Sequence, residues 1–586
     1  MKSLIDDMLA KALDALRAEG ALDDDGEIKA QVERSRDDRH GDFASAVALN
    51  LARLMKRKPR EIAEQIVARL PESIGVSKVE VAGPGFINFF LEKSARQSVL
   101  DSVLALGAAY GHTNTGRDES IQVEFVSATP TGPLHVGHGR GAAFGAALAN
   151  LLQAAGFCVK REYYVNDAGR QMDILAASIW LRYLDLSGET VPFPASGYQG
   201  EYIRTIANEL LLEHGESFLV DASRIGHELP ADEAEGGNKE VYIDAVIARM
   251  RLLLGKEKFR LILSAGLNAL LSDIRADLEE FGVVFDRWYS ERSLLESGAM
   301  ERTIETLRQA GHAYDKDGAV WFKSTSFGDD KDRVVIRENG VPTYFASDIA
   351  YHTEKFERGF KRVIDIWGAD HHGYVARVKG ALAALGKNPE AFEAPIVQMV
   401  HLYRAGEKAF MSTRKGEFVT LRELRREVGN DAARFFYIMR RCEQHLDFDL
   451  DLAKSQSNDN PVYYLQYAHA RICSVLRQAT ERGFEIDTPS DDVEATLLVE
   501  EQEQALLTTL SRFPEVVEAS ALAREPHQVA FYLREVANDF HAYYNAHQFL
   551  VNDAALRTAR LALNRGTRQV LANGLALLGV SAPESM

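Results

Sequence analysis

The chain has 586 residues, 46% of them hydrophobic, enough for ordinary globular cores in about four domains. Its 86 acidic and 68 basic residues leave a formal net charge of -18, which excludes a general nucleic-acid binder but not one RNA partner met by a local basic patch. The three cysteines, Cys158, Cys442 and Cys473, lie too far apart for a disulfide framework or a cysteine zinc site.

The start, Met1 to Asp7, is charged too early for a secretory signal, and no 18-residue apolar run offers a membrane span, so a soluble, cytoplasmic protein is expected. Residues 1–112 read as a small α+β unit. Leu4, Met8, Ala12 and Leu16 share a helical face, and helices are expected over 43–54 and 60–70, divided by Pro59. Val79 to Val81 and Phe86 to Leu91 flank Ala82-Gly83-Pro84-Gly85 as strand, turn and strand. Over 113–455, strand-like and helix-like runs alternate, which predicts a parallel sheet covered by helices. Its expected strands include 121–125, 159–164, 319–322, 334–336 and 362–367, and polar 215–239 reads as a surface insertion. Over 456–586 the strand signals vanish, and helices are expected over 462–478, 493–512, 527–546 and 553–578. The fold class is thus multidomain α/β, with a Rossmann-like sheet domain between an α+β unit and an all-α unit.

Chemistry concentrates in the middle unit. Glu124 ends the first expected strand, and Pro130-Thr131-Gly132-Pro133-Leu134-His135-Val136-Gly137-His138-Gly139 links that strand to a helix. A helix N-terminus favours phosphate, and a glycine admits a flat ring to the backbone. His135 and His138 are therefore candidate donors to a nucleotide phosphate; helix caps or an i, i+3 metal pair are the alternatives, the metal disfavoured without a third ligand. Asn166-Asp167-Ala168-Gly169 follows the next strand, and Tyr344-Phe345-Ala346-Ser347-Asp348 is expected to end another. Glu124, Asp167 and Asp348 would then converge, and a guanidinium is the natural cation to join them, unless each caps a helix or pairs locally. Asp365 to Tyr374 places Asp370, His371 and His372 after Gly368 at a strand end, where ligands of parallel sheets bind. Farther on, Met411-Ser412-Thr413-Arg414-Lys415-Gly416 is a basic turn able to meet a triphosphate.

His-x-Gly-His in this setting resembles the HIGH signature of class I aminoacyl-tRNA synthetases, and the basic turn resembles their KMSKS loop. With 123–128, 166–169, 198–203, 285–291, 348–351 and 368–374, the chain resembles the bacterial arginyl-tRNA synthetases. Gly41-Asp42-Phe43-Ala44 and Pro84 to Phe89 are similar to the family's N-terminal domain, and 460–471 and 571–583 to its helical anticodon domain.

The resemblance implies an arginine–tRNA ligase that uses ATP accompanied by Mg²⁺, holds no protein-bound metal, and acts as a monomer on tRNA(Arg). It implies catalytic roles for His135, His138, Lys408 and Lys415. ATP would meet Gly137, Gly139, Gly368, Asp370, His371, His372, Met411 and Ser412. Arginine would meet Glu124, Ser127, Thr129, Asp167, Tyr344 and Asp348. The tRNA elbow would meet Phe86 and Asn88, and the anticodon loop Tyr463, Tyr467 and Arg471, where aromatics and arginine stack on splayed bases. Thr129 stands where the family usually has asparagine, and Phe410 and Thr413 where it has lysines, which leaves Lys408 and Lys415 as the cations for pyrophosphate. The resemblance further implies that arginine activation needs bound tRNA.

Overall fold

The computed structural model describes residues 2–22, 32–35, 38–72, 75–226, 229–409, 419–489 and 492–586. Its organising element is a five-stranded sheet of β1 (Ser120–Glu124), β2 (Cys158–Val165), β3 (Arg287–Ser290), β4 (Arg362–Asp365) and β5 (Phe392–Glu393), in the order β5-β4-β1-β2-β3. All four pairings are parallel. Chain order reverses between β1 and β4, so a crevice opens at their carboxyl ends, the usual ligand site of such sheets.

Helix α1 (Val136–Ala154) follows β1 and is buried along most of its length by alanine, leucine and glycine. Beyond β2 come α2 (Arg170–Leu186) and α3 (Lys239–Glu280), which pack with Glu201–His214 around a core of their own, including Trp180, Ile243 and Ile262. Helix α4 (Tyr344–Glu357) precedes β4, and α5 (Leu421–Val428) opens with a capping box between Thr420 and Glu423. Arg422 and Arg425 of α5 reach the buried Asp277 of α3 at 3.1 and 2.8 Å.

The all-α region contains α6 (Pro461–Glu481), α7 (Phe513–Ala523), α8 (His527–Ala546) and α9 (Ala554–Leu578). It shares one continuous hydrophobic core with the sheet, from Ile121 and Val123 to Leu571 and Val580. Buried Arg434 adds a polar tie, donating to the carbonyls of Phe281 at 2.7 Å and Leu578 at 3.2 Å. Residues 2–91 form a separate core around Ile5, Leu9, Phe43, Ile62 and Phe89, beneath an antiparallel sheet. Arg34 links this unit to α7 and to the end of the preceding helix, Glu501–Ser511, bonding Glu515 at 3.0 Å and Ser511 at 3.0 Å. The helix Lys93–Leu106 packs with the larger core through Val99, Leu100 and Val103.

Four expectations are corrected. Ala319–Phe322 and Arg333–Ile336 are strands, but they pair antiparallel in a separate three-stranded sheet with Ala313–Lys316. Alternation marks a strand without naming its neighbour. Tyr344 to Asp348 does not end a strand but starts α4, with the Thr343 hydroxyl accepting from the Ala346 amide as its cap. The helix expected over 43–54 divides into a strand, Phe43–Ser45, and a helix, Val47–Met55. The helix expected over 493–512 shortens to Glu501–Ser511 after a 3-10 turn at Ala495–Leu497.

Candidate functional site

The chain leaves β1 under strain. Val126 and Ser127 have φ of 70° and 40°, and a β-branched residue in that region is an outlier that needs surrounding structure to hold it. Ser127 is held on both sides: its hydroxyl donates to Glu124 Oε1 at 2.9 Å and accepts from the Tyr164 amide at 3.0 Å. Leu134 to Val136 then pairs with Val419 to Leu421, through Leu421 N to Leu134 O at 2.8 Å, Val136 N to Val419 O at 3.2 Å and a bridge of His135 to Thr420. Residues 410–418 follow the Lys408 hairpin and precede this pairing. Met411, Ser412 and Lys415 lie outside the described residues. Lys408 is exposed at the hairpin end, opposite Tyr403, and is not among the cleft-lining residues.

His135 is the N-cap of α1, and the two histidines cap each other. His135 Nδ1 accepts from the amides of Gly137 and His138 at 3.1 and 3.3 Å, and His138 Nδ1 accepts from the His135 amide at 3.2 Å. Accepting at Nδ1 fixes the proton of each neutral ring on Nε2. The rings stack with centroids 3.6 Å apart. Burial lowers the pKa of both, that of His138 to about 3. The pair therefore presents two neutral Nε2–H donors at a helix N-terminus. A Cβ on Gly137 would lie 2.9 Å from His135 Cε1, so glycine there lets the ring lie over the backbone.

These groups open into a cleft of about 440 Å³ at the crevice between β1 and β4. Of the residues expected at ATP, His135, Gly137, His138, Gly368, Asp370 and His371 line it together, with Trp367 and Met399 as apolar walls. His372 is described for its backbone alone. Gly139 is not among the cleft-lining residues, and a Cβ there would meet Leu421 Cδ1 at 2.7 Å and Tyr437 Oη at 2.9 Å. Its smallness lets α5 approach α1. Arg140, the next residue, is buried and donates to the carbonyls of Gln398, Gln444 and Arg441 at 2.8, 2.7 and 2.9 Å, bracing the Gln398 wall.

Beside the cleft the carboxylates sort into two kinds. Glu124 has a protein cation beside it, Lys355 Nζ at 2.6 Å from Oε2, while its Oε1 accepts from Ser127. Asp167 is engaged within the protein. Its oxygens accept from Ser290 Oγ at 2.6 Å and the Arg292 amide at 2.9 Å, which fastens the loop after β2 to the helix after β3. The capping alternative holds there, because both oxygens already have protein donors.

Asp348 accepts from Tyr374 Oη at 2.7 Å, and Glu291 accepts from the Asn166 amide nitrogen at 2.9 Å in the orientation that serves both amide atoms. Among the described residues neither has a lysine or arginine within 4 Å. Burial raises the pKa of Asp348, and burial followed by the nearby Asp348 charge pushes Glu291 up to about 7. A buried and a half-buried carboxylate with no lysine or arginine beside them among the described residues make a receptor for a cationic group. Tyr344, 60% exposed, brings its hydroxyl beside Gly169 at the pocket rim. Thr129 and Ser127 lie on the cleft side. Among the described residues, no group of three His, Cys, Asp or Glu side chains is placed to hold a metal.

Glu291, Tyr351 and Lys355 were not singled out from sequence. A lysine in helical register with Tyr351 and Asp348, on a helix whose neighbouring face is apolar, was the available signal for Lys355.

Two further surfaces carry the remaining candidates. Phe86 and Asn88 line a cavity of about 500 Å³ with Arg34 and His40 on the N-terminal sheet. On α6, Tyr463 and Tyr467 stack at 5.9 Å, and Arg471 lies over the rings of Tyr467 and Tyr544 at 4.5 and 4.4 Å. Phe540 and Tyr543 of α8 are fully buried core residues.

Three family models match the chain: the arginyl tRNA synthetase N-terminal domain over 1–91, the class I (R) tRNA synthetase catalytic domain over 99–189 and 266–443, and the DALR anticodon binding domain over 465–586. The arginine–tRNA ligase of Thioalkalivibrio sulfidiphilus is 61% identical over 586 residues, covering 100% of both chains. That of Legionella pneumophila strain Corby is 55% identical with the same full coverage. Among solved structures, the Thermus thermophilus arginyl-tRNA synthetase superposes with a TM-score of 0.74 at 24% identity over 100% of both chains, which speaks for the fold.

Proposed function

The chain belongs to the arginyl-tRNA synthetases, and on that premise we infer that it is an arginine–tRNA ligase in which the carboxylates of Glu291 and Asp348 select the amino acid. The reaction has two steps. An oxygen of the arginine carboxylate attacks the α-phosphorus of ATP, the bond to the β-phosphate oxygen breaks, and arginyl-adenylate and pyrophosphate result. A hydroxyl of the tRNA 3'-terminal adenosine then attacks the adenylate carbonyl, and AMP leaves.

The guanidinium lies between Glu291 and Asp348, where forked N–H groups meet planar carboxylates. The α-ammonium goes to Glu124, with Ser127 and Thr129 beside it, and Tyr344 closes over the side chain. Adenine and ribose lie along Gly368 to His371. His135 and His138 donate from Nε2 to the α-phosphate oxygens as negative charge grows on them, without moving a proton themselves. Their neutral, doubly capped state supports this reading. Lys415, with Lys408 behind it, supplies charge to the departing pyrophosphate, and Mg²⁺ enters with ATP. Most of the acceleration comes from placing two reactants in line and from fixed dipoles, with no covalent enzyme intermediate.

Phe86 and Asn88 meet the tRNA elbow, and Tyr463, Tyr467 and Arg471 meet the anticodon loop. The support is a half-buried stack of aromatic rings and guanidinium on α6, of the kind that accepts splayed bases. The enzyme acts as one chain and in the cytoplasm, where charged tRNA is used. Pyrophosphate exchange into ATP, run with each amino acid in turn and with tRNA present, tests the selection. Arginine alone should support it, and exchange with lysine or glutamate would overturn the pocket.

A further inference from the structure

Three carboxylates stand in register across the centre of the sheet. Asp365 of β4 pairs with Glu124 of β1, and Glu124 pairs with Glu162 of β2. Asp365 is 1% exposed, Glu162 2% and Glu124 7%. In-register residues of neighbouring strands present their side chains to the same face, so three adjacent buried anions repel unless cations enter the row.

One face of α4, with the residue after it, supplies those cations. Lys355 Nζ lies 2.6 Å from Glu124 Oε2 and 2.8 and 2.7 Å from the two oxygens of Asp365. Arg358 pairs with both oxygens of Glu162 at 2.5 and 2.9 Å, so Glu162 has its own cation. Tyr351 Oη reaches Glu124 Oε2 at 2.8 Å and Glu162 Oε1 at 2.6 Å. His352 Nε2 lies 2.8 Å from Asp365 Oδ2. Lys355 is wholly buried; the two carboxylates accept its hydrogen bonds, and its Nζ lies 4.3 Å from the centre of the Tyr351 ring. Buried ion pairs add little stability over apolar residues of similar size, so a row of this kind calls for another explanation.

We propose that Lys355 is the positioning residue that holds the Glu124 carboxylate in place as an anion, with Tyr351 completing the grip. The inference rests on the reading of Glu124 as the group that receives the arginine α-ammonium. Lys355 spans Glu124 and Asp365, which sets the lateral position of Glu124. The Tyr351 and Ser127 hydroxyls, on separate oxygens, set its rotation. Lys355 touches neither arginine nor ATP. Its effect is on how well arginine binds, through the charge and orientation of a neighbour.

The test is aminoacylation by the full-length enzyme, with the KM for arginine and for ATP measured separately in Lys355→Met, Tyr351→Phe, Glu124→Gln and the double variant Lys355→Met/Glu124→Gln. Lys355→Met should raise the arginine KM by about tenfold or more, the scale of a lost hydrogen bond to a charged group, and leave the ATP KM within about twofold. Tyr351→Phe should shift the arginine KM in the same direction by about three- to tenfold, for one lost hydroxyl. The double variant should be no worse than Glu124→Gln alone, because a neutral amide has no charge to hold. Equal rises in both KM values, or an unchanged arginine KM in Lys355→Met while Glu124→Gln raises it, would overturn the proposal and leave the role of Glu124 standing. If Glu124→Gln leaves the arginine KM unchanged, the reading of Glu124 falls and the proposal with it. If Lys355→Met does not fold, Tyr351→Phe decides alone: an unchanged arginine KM overturns the proposal.

Discussion

Arginine binding should weaken as pH falls through neutrality, and Glu291 should be the cause. Burial and the neighbouring Asp348 charge hold its carboxyl at about 7 in the empty pocket. The groups around it are Asp348 of α4, Asp167 and Asn166 from the loop after β2, and Tyr164 of β2. The guanidinium stays protonated throughout and needs the ionised carboxylate. Protonation of Glu291 therefore competes with arginine, so affinity is full well above pH 7 and is lost below it. For a single competing proton the apparent dissociation constant rises by one plus the ratio of proton concentration to acid constant. That factor is about 1.1 at pH 8 and about 11 at pH 6, close to a tenfold loss. The assay is the arginine KM for aminoacylation at saturating ATP and tRNA between pH 5.5 and 9, with Glu291→Gln in parallel. The variant should have a high KM at every pH and a flat profile over the same range. A flat wild-type profile, or a slope that survives in Glu291→Gln, would refute the reasoning.

Other expectations follow from separate parts of the molecule. His135→Ala and His138→Ala should each lower kcat for adenylate formation by about a hundredfold, near 3 kcal/mol, with little change in ATP KM; pyrophosphate exchange reads this, and unchanged rates would remove the donors from the mechanism. Arg471→Ala should weaken tRNA binding by about 1–3 kcal/mol while the arginine and ATP KM values stay put, measured by filter binding at fixed salt. Arg140→Met strips three carbonyls of their donor and should cost about 3 kcal/mol, read as a lower midpoint in thermal denaturation. Arginine-dependent pyrophosphate exchange should be slight without tRNA, and a full rate in its absence would separate activation from tRNA docking.

The strand-to-helix turn at His135 was legible because a buried apolar run changes there to helical spacing, and cap chemistry is local. Tyr344 to Asp348 misled because a short apolar–polar alternation imitates a strand end, while the deciding cap, Thr343, is one residue earlier. The sorting of carboxylates was not legible at all. Glu124 and Lys355 are 231 residues apart, and nothing in either neighbourhood announces the other. Likewise Asp167 looked like a ligand because its caps, Ser290 and Arg292, are on a strand end and a helix more than a hundred residues later. Convergence at strand ends was readable, but which charge is already answered by the protein depends on tertiary pairing.

The continuous core between sheet and helices bears on how the enzyme is made. Helix α1, which carries both histidines, packs against α7 and α9, and Arg434 closes on the carbonyl of Leu578. Helix α9 follows α1 far along the chain, so this flank of α1 stays uncovered until α9 has been made. The N-terminal unit, with its own core, is free to fold early. A chain cut short before α9 loses part of the core that backs α1, so premature termination should leave the sheet domain incompletely packed.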